Sequence, residues 1–324
     1  MLIRGVHRGH AALWLENETL RVGVLPEKGA DIFELIHRPT GVQMLMEMPA
    51  GLKPPGNHPQ DEFLDNYEGG WQELFPNHGD ACEFRGQAIP MHGEVALLPW
   101  DVQVLEDNLN ETIVHLQVRC KKTPFLLERI MRLRAGAACL EIVGNVTNES
   151  LETCEFVWGH HVTLGEAFLD DDSLLEVPAK TILTPDLIFE PKTARLAAGQ
   201  TSQWPKAQGR MGETIDLRSI PNRQIHTHDD AFLTGLVRGH YTVTSLRQGL
   251  RFSLDWDEQL FPWIAFWQPY GGADKSPFTG MYGVGIEPWV SRYNLTEAVK
   301  EDQARSLAGG ESLETRLTVS VSQL

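Results

Sequence analysis

Apolar and polar residues alternate with a period of two through much of the chain. Residues 20–25 (LRVGVL) alternate and stop at Pro26, residues 112–119 (TIVHLQVR) and 126–134 repeat the pattern, and residues 140–148 (LEIVGNVTN) and 315–321 (TRLTVSV) follow it. A period of two places alternate side chains on opposite faces of an extended strand, and the richness in Val, Ile and Thr suits a pleated surface. Turn-forming residues separate these runs. Helical periodicity is scarce. Residues 295–306 predict one short helix with Asn294 as its N-cap. The pattern therefore predicts an all-β chain of many strands. No linker, low-complexity stretch or short repeat divides it, so residues 1–324 read as a single domain. Two regions break the alternation. Residues 49–79 are rich in Pro, Gly, Asn and acidic residues, yet Trp71, Leu74 and Phe75 predict an ordered segment over a binding site. Residues 178–223 form the second irregular stretch and hold Trp204 and several prolines.

Charge narrows the classes of partner. The formal net charge is −16, which opposes binding to nucleic acid or to an anionic membrane and suits a neutral small ligand. No stretch approaches the roughly 20 apolar residues that span a bilayer. The first residues (MLIRGVHRGHAALWLE) lack the apolar core of a secretory signal, so a cytoplasmic location is expected. Cys82, Cys120, Cys139 and Cys154 form no CxxC pair, which reads as reduced thiols and no metal site. The nine tryptophans and 12 histidines change the picture more than the charge does. Flat aromatic faces suit apolar ligand surfaces, and imidazoles suit proton transfer.

Four clusters could carry chemistry. In residues 90–95 (PMHGEV), His92 precedes a glycine that lets backbone approach a ligand, although a turn histidine looks the same. In residues 157–165 (VWGHHVTLG), His160 and His161 are adjacent on a strand and must face opposite sides. That is poor geometry for one metal ion but suits one histidine as proton donor and the other as scaffold or substrate contact. In residues 226–233 (HTHDDAFL), acidic residues open an apolar strand, as turn caps or as hydrogen-bond acceptors for a ligand. In residues 282–289 (YGVGIEPW), Glu287 lies in an apolar, glycine-flanked run, where desolvation raises a carboxyl pKa toward the range of a general base. The glycines at 283 and 285 lack the GxGxxG spacing and context of a dinucleotide site.

Taken in order, these clusters resemble the aldose 1-epimerase (galactose mutarotase-like) family. The likeness begins at residues 25–32 (LPEKGADI), similar to the family's early Pro–Gly–Gly strand pair, and passes through His92-Gly93. His161 matches the family's catalytic histidine, with His160 where many members carry Asn or Gly. Asp229, with Phe232 three residues on, resembles the sugar-binding Asp-x-x-Phe strand. Gln268 and Tyr270 resemble a ligand-side segment, Glu287-Pro288 matches the Glu-Pro that holds the catalytic base, and residues 307–311 (LAGGE) resemble the turn before the last strand. The family's Asn-Arg pair falls on Asn77-His78, so that the arginine's role passes to His78 or to Arg85.

The resemblance implies a large β-supersandwich with its site in a cleft on a concave sheet. It implies a cofactor-free isomerase that interconverts the α and β anomers of a free sugar, as a monomer or homodimer. Glu287 would act as base and His161 as acid. His92, Asp229, Asn77, His78, His160, Gln268 and Trp71 would contact the sugar, with Trp267 and Trp289 as further stacking surfaces. Three rival functions fit the same residues. A glycoside-cleaving enzyme would use Asp229 and Glu287 as its carboxylate pair. A carbohydrate-binding protein would bind sugar without turnover. An epimerase of a phosphorylated or sulfonated sugar would need Arg85, Arg238 or Arg292 at the cleft.

Overall fold

A computed structural model describes residues 1–49, 51–53, 63–171, 173–274 and 276–324. The alternating runs form strands at the expected places: Glu111–Arg119, Phe125–Arg134, Cys139–Asn148 and Ser312–Gln323. They join, all antiparallel, in an eight-stranded sheet with Leu174–Glu176, Gly239–Ser245, Leu250–Trp256 and Asp101–Asp107. One face of this sheet is buried and the other is wet, which is why its strands alternate so clearly.

The second sheet has 12 strands. It starts with Leu2–His7, His10–Glu16, Leu20–Leu25 and Asp31–His37, the last flanked by Val42–Gln43. Five strands follow that matter for the site: Trp71–Leu74 (β1), Gly159–Gly165 (β2), Thr227–Thr234 (β3), Trp263–Tyr270 (β4) and Gly283–Trp289 (β5). Their spatial order is β1, β2, β5, β4, β3, and Thr181–Leu183 and Thr201–Gln203 complete the sheet. Every residue of β1, β2 and β5 is buried. These strands are covered on both faces, by the opposing sheet on one and by loops on the other.

Leu116, Leu127, Met131 and Ile142 from the smaller sheet pack with Val162, Leu164, Val284 and Ile286 in one apolar core. One charged group crosses this core. Arg129 is fully buried, lies 3.5 Å from Glu73 of β1, stands 5.0 Å over the Trp100 ring and donates to the Ala30 carbonyl. Glu73 in turn accepts from the indole of Trp158 at 2.9 Å. The pair ties β1 to the opposite sheet, and each charge offsets part of the cost of burying the other. The architecture is a large two-sheet β-sandwich, the fold class expected from the sequence.

The expected helix at residues 295–306 is shorter in the structure. It runs Leu295–Lys300, and Asn294 caps it by accepting from the Glu297 amide at 3.0 Å. Asp302 adopts φ 54°, a left-handed conformation that the helix cannot pass, and the chain turns into the strand Arg305–Leu307.

Candidate active site

Strand register builds the site. β2 and β5 pair antiparallel with Gly159 opposite Trp289 and Thr163 opposite Gly285. His161 and Glu287 lie midway between these pairs. Across the next two ladders, Glu287 faces Ala265 and Gly285 faces Trp267, while Ala265 faces Phe232 and Trp267 faces Asp230. Alternation then brings His161, Glu287, Trp267, Asp230 and Phe232 to one face. With His92 and Trp289 they line a cavity of about 320 Å³. Nε2 of His161 is 3.6 Å from Oε1 of Glu287. Gly285 leaves room for this carboxyl, since a Cβ there would stand 2.4 Å from Glu287 Oε1.

Loops close the cavity. Phe63–Asn66 forms a single helical turn and leads into Tyr67, whose ring centroid is 5.1 Å from that of His161. The Tyr67 hydroxyl is 3.0 Å from Thr163 Oγ1, which is 3.3 Å from His161 Nδ1. This relay engages Nδ1 and leaves Nε2 facing Glu287. Of the irregular segment expected over the binding site, residues 50 and 54–62 lie outside the described residues, while Phe63, Leu64 and Tyr67 border the cavity.

His92 sits in a turn with φ 60°. The Gly79 amide donates to its Nδ1 at 3.1 Å, and the His92 amide donates back to the Gly79 carbonyl at 3.0 Å. Accepting that bond requires a bare Nδ1, so the ring proton sits on Nε2. The loop that presents Gly79 is knotted by Asn77. Its carboxamide donates to the carbonyls of Asp80 and Pro90 at 2.9 and 3.1 Å and accepts from the Leu295 amide at 2.7 Å.

Burial sets the protonation. It raises the Glu287 carboxyl well above its ordinary value, and the nearby Asp230 adds to this. It lowers His161 to about 3. His92 is pushed well below its usual value by burial first and then by His161 and His78. Asp230 is raised to about 7, by burial and then by Asp229 and Glu190. Burial thus favours a protonated Glu287 beside a neutral His161, because the low-dielectric surroundings penalise both charges.

The structure brings together His161, Glu287 and His92 but turns several other expected contacts away. Asp229 faces the opposite side of β3, where its carboxylate accepts from the Arg195 and Leu196 amides at 2.7 and 2.8 Å and from Arg195 Nε at 2.7 Å. Gln268, opposite it on β4, accepts from the same guanidinium at 3.1 Å. His160 and Trp71 also point to the core, where the indole donates to His160 Nδ1 at 3.3 Å. Asn77 is a loop anchor. His78 is fully buried and stacks on Trp289 with centroids 4.3 Å apart. Arg85 is held at the surface by Glu155 at 2.6 Å, so neither replaces the family arginine inside the cavity. The reason is strand parity for Asp229, Gln268, His160 and Trp71: each is one residue out of step with the cavity face.

Residues that sequence reasoning missed include Asp230, Tyr67, Phe63, Phe189 and Phe278, all at the cavity. Asp230 had a signal. It shares the parity of Phe232, whereas Asp229 and Phe232, three apart, cannot share a face of a strand. Trp267, considered only for stacking, is oriented by its indole, which donates to His228 Nε2 at 2.7 Å.

Comparison with known proteins gives the family. Residues 7–321 match a family described as a domain of unknown function, DUF4432. The chain belongs to the DUF4432 family. No curated protein matches this DUF4432 member by sequence. Solved structures match over nearly its whole length. The Slr1438 protein of Synechocystis sp. is 18% identical with a TM-score of 0.69, covering 97% of this chain and 96% of that one. A galactose mutarotase-like protein from Clostridium acetobutylicum is 14% identical with a TM-score of 0.67, covering 100% and 99%. A galactose mutarotase related enzyme from Lactobacillus acidophilus is 15% identical with a TM-score of 0.64, covering 96% and 97%. At such identities the likeness of this DUF4432 chain to them is one of fold.

Proposed function

We propose that this protein is an aldose 1-epimerase that interconverts the anomers of a free sugar by general acid–base ring opening. One observation carries the reading: His161 Nε2 and Glu287 Oε1 stand 3.6 Å apart and line the same cavity. Ring opening needs a base for the O1 proton and an acid for the ring oxygen, each at hydrogen-bond reach. The pair holds one proton between them. Burial favours that proton on Glu287, whose carboxyl is raised well above its ordinary value. Sugar hydroxyls bonded to the carboxylate stand in for lost water and let the proton pass to His161. Glu287 then takes the O1 proton, His161 delivers its proton to O5, the C1–O5 bond breaks and an aldehyde forms. Rotation about C1–C2 presents the other carbonyl face, and reclosure returns both protons. The Nε2–H of His92 would donate to the sugar near the ring oxygen. The glycoside-cleaving alternative cannot use Asp229 with Glu287, since Asp229 faces away from the cavity and is held by Arg195.

The test is anomer exchange by NMR across a panel of aldoses, with wild type, Glu287→Gln and His161→Asn. Each substitution is expected to cut exchange at least ~100-fold, the scale of one lost acid–base group. Wild-type rates in Glu287→Gln would overturn the reading.

A further inference from the structure

We infer that the sugar taken at this site is uncharged and lacks a hydroxyl on the edge that meets the aromatic wall: a 6-deoxyaldose or a pentose rather than a hexose, a sugar phosphate or a uronate. The inference rests on the epimerase reading above and deepens it. The argument is one of matching groups. Among the described residues, the carboxyl and imidazole side chains that line the cavity are His92, His161, Asp230 and Glu287, and the exposed Asp80. Glu287 and His161 are taken by O1 and the ring oxygen, and His92 shares the latter. The two oxygens of Asp230 can accept from two neighbouring hydroxyls. A hexopyranose carries further hydroxyls, and those on the edge turned to the aromatic wall meet rings. Phe63 and Tyr67 lie 5.5 Å apart, Tyr67 and Trp267 5.9 Å, Trp267 and Phe278 5.7 Å, and Phe278 and Phe189 6.3 Å, so the wall is continuous. Its outer lip is apolar as well, with Leu187 87% and Phe189 46% exposed. A hydroxyl buried against such a wall loses its water and gains no partner, whereas a methyl group or a bare ring edge gains contact.

Charge points the same way. Among the described residues that line the cavity there is no lysine or arginine. Arg85 is committed to Glu155, and Arg292 lies over the rings of Trp263 and Tyr293. An anionic sugar would be buried beside the carboxyls of Asp230 and Glu287 without a countercharge, and that is strongly unfavourable.

The wild-type protein tests this. Anomer exchange and binding, the latter by saturation-transfer NMR, are measured for matched sugars: D-galactose with 6-deoxy-D-galactose, L-mannose with L-rhamnose, and D-glucose with D-xylose, D-glucose 6-phosphate and D-galacturonate. In the pair that the enzyme uses best, the member without the C6 hydroxyl or C6 group should have kcat/KM at least ~10-fold higher, the scale of one unpaired hydroxyl. The two anionic sugars should be at least ~100-fold slower than the best substrate. Exchange in which the hexose equals its deoxy partner, or an anionic sugar matches the best neutral one, overturns this inference and leaves the epimerase reading intact. Selective binding of the deoxy sugars with no exchange has the opposite effect: it supports the assignment of ligand class and overturns the epimerase.

Discussion

Replacing Asp230 by asparagine keeps the side chain's shape and removes its charge. The folded protein raises this carboxyl from 3.8 to about 7, chiefly by burial and then by Asp229 and Glu190. Between those two values the folded chain holds a proton that the unfolded chain has released. Stability must therefore fall as pH rises from about 4 to about 7, and level off above that as far as this group is concerned. A shift of about three units corresponds to about 4 kcal/mol. Asp230 keeps some contact with water, which reduces the figure to roughly 2–4 kcal/mol. Asp230→Asn should then gain that much stability over wild type between pH 4 and pH 8, whatever constant offset its packing introduces. Urea unfolding followed by tryptophan fluorescence at intervals of half a pH unit measures the gap. The same variant should lose about tenfold in kcat/KM for anomer exchange, because an amide replaces an acceptor of two sugar hydroxyls. A stability gap that stays constant from pH 4 to pH 8 would refute the claim that this carboxyl is forced toward neutrality by its surroundings.

Three further substitutions probe the framework of the site. Gly285→Ala places a methyl group 2.4 Å from Glu287 Oε1, so exchange should drop about 100-fold by NMR while the circular dichroism spectrum stays native. Thr163→Val cuts the link between Tyr67 and His161; kcat should fall about tenfold with KM nearly unchanged, and an equal effect on both would show that the hydroxyl only packs. Arg129→Met leaves the Glu73 carboxyl buried without its cation, which should cost about 3–5 kcal/mol in urea unfolding, and adding Glu73→Gln should recover most of that loss.

Reading the chain worked best where one face of a strand is wet. The strands Glu111–Arg119 and Cys139–Asn148 alternate buried and accessible residues almost without exception, so their period was plain. β2 and β5 are buried on both faces and carry no period. There the only local signal was a polar group in an apolar run, which marked Glu287 and the His160–His161 pair, and the family resemblance chose His161. What one sequence could not supply was which face of a strand opens on the cavity. Asp229 and Asp230 differ by one residue step, and which of them faces the cavity depends on the pairing of β3 with β4, where Asp230 meets Trp267. Hydrogen bonding between distant segments set this register. The cavity's loop side was hidden for a related reason: Tyr67, Phe189 and Phe278 lie in irregular stretches whose direction no local pattern dictates.

His161 and Glu287 stand on neighbouring strands of a broad sheet, and Trp267 and Asp230 on the next two, whereas Phe63, Tyr67, Phe189 and Phe278 hang from connecting segments. On the proposed reading, proton transfer is seated on paired strands of the sheet, and ligand choice on connecting segments, the part of a fold most free to vary. Grafting a different set of those segments onto an unaltered sheet is accordingly the natural way to redirect such a protein to a new carbohydrate, with the reaction itself carried along unchanged.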